Sequence, residues 1–130
     1  HVVVDKPITV TLSQARELES LAKHCGRILS GVHNRRWDSD FLTVSALINE
    51  GQLGEVCYFE SHFDRFRPQV RQRWREQAGP GSGIWYDLAP HLLDQVVVLF
   101  GLPVSITVDP ARLRRGERAL YRPRLAGQLY

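Results

Sequence analysis

The apolar pattern along the chain changes period several times, and each change marks an element. In HVVVDKP, residues 1–7, a β-branched run closes on Pro7, which cannot donate to a ladder and pushes Lys6 toward extended geometry. This predicts a short buried strand with Lys6 at its carboxyl end. TLSQARELESLAKHCG then sets Leu12, Ala15, Leu18, Leu21, Ala22 and Cys25 at helical intervals, with Thr11 and Gln14 in capping-box spacing and Gly26 as terminator. RILSGVHN reads as a second short strand. The bulky, polar NRRWDSD reads as a loop before a helix that is capped by Asp38 and runs to Gly51. Strand, helix, strand, helix is a parallel α/β rhythm, and in open α/β sheets ligands gather beyond the carboxyl ends of the strands. Lys6 and HNRRW both fall there.

Past Gly54 the periodicity shifts. EVCYFESHF mixes β-branched, aromatic and polar residues as a longer strand that opens a different sheet. DRFRPQVRQRWREQAGPGSG is too rich in Arg, Gly and Pro for one regular element and reads as a substrate-side loop. IWYDLAPHLLDQVVVLF is a helix ending at Gly101, in which Pro90 removes a hydrogen bond to Tyr86 and loosens the stacking of Asp87 on His91. PVSITVD reads as one more strand. The last twenty residues follow neither period, and no internal repeat is present.

At 130 residues the chain suits one modest domain with a core of its own. It has no Met, and His1 leads straight into the first strand, so a piece of a longer protein is expected. The net charge of +3 is uneven: residues 111–130 carry six Arg against one Glu, and the remainder is slightly acidic. A basic tail without an aromatic ladder makes only a weak case for nucleic acid. Cys25 and Cys57 lack C-x-x-C spacing and suit a reducing compartment, so a cytoplasmic location is expected. No run approaches a membrane-spanning length, no signal-peptide order opens the chain, and no membrane partner is expected.

Several residues can carry chemistry. Asp87 and His91 are four apart on one helical face, so the carboxylate can orient the imidazole and favour its charged form, as a proton-transfer pair requires. From spacing alone a helix-surface ion pair is the plainer reading. A metal site is the third, with His62 and Asp64 as the recruits it would need. Lys6 can be a solvated strand-end lysine or a cation that polarises a carbonyl. Arg35 and Arg36 can be loop charges, or can meet a cofactor or an anionic substrate group. Trp37, Trp74 and Trp85 read as packing residues, with Trp74 in the Arg-rich loop as the candidate exception. GPGSG has the wrong spacing for either Gly-rich phosphate fingerprint and reads as a flexible lead-in to the helix.

Taken in order, HVVVDKP, the capped helix, the strand ending before Arg, INEGQLGEV, GSGIWYDLAPHLLDQ and FGLPV resemble the Gfo/Idh/MocA family of NAD(P)-dependent sugar and polyol oxidoreductases. The resemblance runs from residue 1 to about residue 110. It implies an α/β (α+β) architecture: residues 1–54 as the C-terminal part of a Rossmann-type dinucleotide-binding domain, and residues 55–110 as the start of a mixed open-sheet substrate and oligomerisation domain. Residues 111–130 then form an atypical basic tail of the kind a shifted reading frame produces. The resemblance also implies Lys6 and His91 as catalytic groups, with Asp87 orienting His91 and contacting substrate. Asp5, Lys6, Pro7, Asn34, Arg35 and Trp74 are the implied contacts to NAD or NADP, and no metal is implied. Asp5 stands where Glu is usual, and Ala89 where Gly is common. The expected partners are a small sugar or polyol and, for the parent enzyme, further copies of itself. The family's Gly-x-Gly-x-x-Gly turn is missing from the sequence, so the chain is expected to be inactive alone. A different class of reading is a binding or regulatory module that keeps the fold without catalysis.

Overall fold

The structure, a computed structural model, describes residues 1–64, 66, 68, 69 and 71–108; the tail at 111–130 lies outside the described residues. The chain is α/β. Strand β1 (Val2–Asp5), helix α1 (Leu12–His24) and strand β2 (Leu29–Val32) form one parallel crossover unit. Val2 faces Leu29, Val3 faces Ser30, Val4 faces Gly31 and Asp5 faces Val32. A 3-10 turn at Asn34–Trp37 leads into α2 (Ser39–Asn49), a second one at Trp74–Glu76 follows, and α3 (Gly83–Phe100) packs on both turns.

The helices form where local signals place them. Thr11 caps α1 through a reciprocal box: its Oγ1 accepts from Gln14 N at 3.3 Å, and Gln14 Oε1 accepts from Thr11 N at 3.1 Å. Both α1 and α2 end in the same double closure. Arg27 N donates to Ala22 O (2.8 Å) and Gly26 N to Lys23 O (3.1 Å), while Gln52 N donates to Leu47 O (3.0 Å) and Gly51 N to Ile48 O (3.0 Å). This closure needs a left-handed residue, supplied by Gly26 at φ 58° and Gly51 at φ 69°. Helix α3 continues through Pro90, and the Lys6–Pro7 peptide is cis.

Four expectations change. NRRW is a 3-10 turn rather than an open loop, since Arg36 N bonds back to His33 O (3.1 Å) and Asp38 N to Arg35 O (3.3 Å). The first strand is not buried: Val2 and Val3 are 54% and 70% exposed, because both strands of the described sheet are edges. EVCYFESHF is not a strand, and PVSITVD shows a lone bridge at Thr107 among its described residues. A strand exists only through a ladder partner, and residues 55–63 find none among the described residues. Instead Val56, Phe59 and Phe63 are half-buried, and Phe59 sets its ring edge-on to Phe100 at 5.3 Å. The buried apolar residues among those described are Phe41 and Ala89, and the buried polar residues are Ser82 just before α3, His91 and Gln95 on it, and Lys6 from the end of β1. Among the described residues no helix is long and apolar enough to cross a membrane.

Candidate active site

The carboxyl ends of β1 and β2 point at the middle of α3, and charged groups converge there. Lys6 follows β1 directly, and its side chain is 7% exposed. Its Nζ donates to the backbone carbonyl of Asp87 and lies 3.4 Å from Asp87 Oδ1. A lysine so buried needs such partners, because an unpaired ammonium in this setting would cost several kcal/mol. Arg75, from the turn at Trp74–Glu76, donates to the same carboxylate oxygen through Nη1 at 2.7 Å. Asp87 is therefore shared by two cations. Arg75 also lies over the ring of Trp74 at 5.2 Å. Glu76 anchors the turn by accepting from Arg71 N (3.0 Å) and Arg73 Nε (2.9 Å).

His91 sits one helical turn beyond Asp87 and is 6% exposed. Its Nδ1 is buried with no hydrogen-bond partner. Loss of water holds its pKa below the ordinary imidazole value, and the positive charges of Lys6 and Arg35 and the neighbouring His33 press it the same way against a weaker pull from Asp5. The ring is therefore neutral at pH 7, the form that accepts a proton. The expected Asp87–His91 hydrogen bond is not formed. Arg75 at 2.7 Å and Lys6 at 3.4 Å hold the Asp87 carboxylate instead.

The end of β2 is fastened to α3 through a second set of contacts. Arg36 makes a two-pronged pair with Asp94, Nε to Oδ2 at 2.7 Å and Nη2 to Oδ1 at 2.6 Å. Arg36 is thus engaged by the protein rather than offered to an anionic ligand. His33 Nδ1 lies 3.4 Å from Asp94 Oδ1 without hydrogen-bond alignment. Gln95 Nε2 donates to Arg35 O at 3.1 Å, and Arg35 itself pairs with Asp38 (2.8 Å) and faces the Phe63 ring at 5.8 Å. An open cavity of about 290 Å³ beside this junction is lined by Gly31, Val32, His33, Arg36 and Trp37.

The structure thus brings Lys6, Asp87 and His91 to one place, with Asp5 and Arg35 at its rim. Asp5 bonds the Lys6 backbone N–H (3.0 Å). Pro7 and Asn34 flank the strand ends with no side-chain hydrogen bond to these groups among the described residues, and Trp74 meets Arg75, which in turn meets Asp87. Arg75, Asp94 and Gln95 were missed in the sequence. Asp94 and Gln95 had a signal, lying three and four residues beyond His91 on the same helical face. Arg75 had none, being one of five Arg residues between 65 and 75. His62 and its neighbours Glu60 (2.9 Å) and Asp64 (3.8 Å) are exposed and apart from this site, and no cluster of three metal-ligating side chains occurs among the described residues.

Comparison with known proteins places the chain in a family. The GFO/IDH/MocA C-terminal domain matches residues 41–123. The chain belongs to the Gfo/Idh/MocA family. It is 77% identical over 119 residues to the uncharacterized oxidoreductase YdgJ of Escherichia coli, an alignment covering 92% of this chain and 34% of that one. It is 44% identical over 109 residues to the scyllo-inositol 2-dehydrogenase (NADP(+)) IolW of Bacillus subtilis, covering 84% of this chain and 30% of that enzyme. The structure of the Yersinia pestis protein YPO2259 superimposes with a TM-score of 0.82 at 64% identity, over 92% of this chain and 33% of that one. The chain therefore spans about a third of the length of these Gfo/Idh/MocA relatives.

Proposed function

We propose that this chain carries the proton-transfer centre of an NAD(P)-dependent oxidoreductase acting on a sugar or polyol hydroxyl. The observation that carries the reading is the convergence of a buried Lys6 and a buried, neutral His91 on one segment of α3, although Lys6 and Asp87 stand 81 positions apart in sequence. Membership of the family and likeness to an inositol dehydrogenase support the substrate class. On this reading residues 1–54 complete a Rossmann unit and residues 55–110 begin the substrate sheet.

The residues present fit the nicotinamide end of a dinucleotide. Asp5, Lys6, Asn34 and Arg35 end two adjacent parallel strands, where α/β sheets hold nucleotides, and Lys6 and His91 stand next to them. The Gly-rich turn that would seat the pyrophosphate is not in the sequence. When bound, the nicotinamide supplies a hydride acceptor. The protein's own work is to take the hydroxyl proton on the His91 imidazole while the Lys6 ammonium stabilises negative charge growing on the oxygen. Asp87, fixed by Arg75, pairs with Lys6 and aims it.

Two measurements test this. The 130-residue chain mixed with NADH or NADPH is expected to show neither a nicotinamide fluorescence change nor turnover of polyols, and robust activity would overturn the expectation that it is inactive alone. In a full-length protein that contains this sequence, His91→Asn is expected to lower polyol oxidation at least about 100-fold, the usual worth of a general base. Unchanged turnover would remove His91 from the chemistry.

A further inference from the structure

We propose that Arg75 is a positioning residue that holds the Asp87 carboxylate on the Lys6 side of α3 and off the His91 ring, so that His91 stays a neutral base. Two observations carry it. The Arg75–Asp87 contact, at 2.7 Å, is much tighter than that of Lys6 Nζ with the same oxygen, at 3.4 Å. And His91 Nδ1 is buried without a partner although a carboxylate stands one helical turn away, the spacing at which such pairs ordinarily meet. The surroundings of Arg75 suit it to this role, because Glu76 ties down the backbone of Arg71 and the side chain of Arg73, which fixes the turn, and Trp74 backs the guanidinium. Lys6 keeps its bond to the Asp87 carbonyl whichever way the carboxylate turns, so it does not hold the side chain as Arg75 does.

The charged and titratable groups around His91 are Asp5 and Lys6 at the end of β1, His33 and Arg35 after β2, Arg75 on its turn, and Asp87 and Asp94 on α3 itself. Asp94 is occupied by Arg36, so loss of the Arg75 guanidinium acts on Asp87 and leaves it only the longer contact with Lys6. A carboxylate turned to the ring would favour the imidazolium and remove the base. The inference rests on the proposed role of His91 as proton acceptor, but its test does not use turnover.

The test follows the His91 ring signal by NMR against pH in the full chain. Arg75→Met is expected to raise the His91 midpoint by about one pH unit, the effect of a newly adjacent carboxylate. Arg75→Lys, which keeps a cation, should return it toward the starting value. The double variant Arg75→Met with Asp87→Asn should abolish the rise, and Asp87→Asn alone should leave the midpoint nearly unmoved. If Arg75→Met leaves the midpoint in place, or Asp87→Asn alone lowers it as much as loss of a direct partner would, the proposal is overturned. Should Arg75→Met unfold the chain, the Asp87→Asn result alone decides.

Discussion

Asp87→Ala should be the most damaging single change in the charged centre, and the contact geometry says by how much. The Asp87 side chain is 15% exposed and that of Lys6 is 7% exposed, with 3.4 Å between Nζ and Oδ1. At an effective dielectric near 20, Coulomb attraction across that gap is about 5 kcal/mol before desolvation is subtracted. Removing the carboxylate leaves Lys6 buried with only the Asp87 carbonyl as partner, and an uncompensated buried charge costs about 3 kcal/mol. Arg75 adds little to that sum, since its side chain is 35% exposed and water can replace Asp87. Lys6→Met should cost far less, about 1 kcal/mol, because Asp87 keeps Arg75 at 2.7 Å and the expense of burying an ammonium disappears. Urea unfolding at pH 7.5 separates the two. With a slope of about 1.5 kcal/mol/M, Asp87→Ala moves the midpoint by about 2 M and Lys6→Met by well under 1 M. Equal losses, or a larger loss for Lys6→Met, would refute the view that Lys6 depends on Asp87 more than Asp87 depends on Lys6.

Because the His91 pKa lies below its unfolded value, the unfolded chain binds the extra proton as pH falls. Stability should therefore be full above pH 6.5 and decline below it toward the folded pKa; His91→Gln should flatten that decline in unfolding curves taken between pH 7.5 and 5. Thr11→Ala removes the hydroxyl half of the α1 capping box and should cost about 1 kcal/mol, read as a lowered urea midpoint with an unchanged slope. Val3→Lys places a charge on an exposed strand edge where Val3 is 70% exposed, so sedimentation should show less self-association at unchanged stability; an unaltered distribution would mean that this edge does not associate.

The helices were legible because each carries its own start and stop. Thr11 with Gln14, Gly26, Asp38, Gly51 and Gly101 all act within a few residues of where they stand, and the structure ends each helix within a residue or two of the expected place. Asp38 shows the limit of such signals. It occupies the cap position of α2, but its carboxylate accepts from Arg35 instead of capping the helix. The two parallel strands were legible from their β-branched runs and neighbouring breakers. Their exposure was not, because burial of a strand depends on what lies on either side of it. The same reason defeats EVCYFESHF: strand composition describes a residue's fitness for a ladder, not the presence of a neighbour to complete one.

The site divides along the same line. That Lys6, Asp87 and His91 belong together could be read from motif order, but their wiring depends on side-chain direction and on a competitor that spacing does not reveal. On an isolated helix, Asp87 and His91 at i and i+4 would be each other's best partners. In the folded chain Arg75 offers Asp87 a full charge at 2.7 Å, whereas a neutral imidazole offers at most one uncharged donor. The carboxylate follows the stronger partner, and the consequence reaches the chemistry. A carboxylate spent on Arg75 and Lys6 fixes the cation that the proposed function sets against the substrate oxygen, and the His91 ring is left without a carboxylate partner. On the proposed function, a charged Lys6 and an uncharged His91, brought to one place from the end of β1 and the middle of α3, divide the work of removing a proton from a hydroxyl.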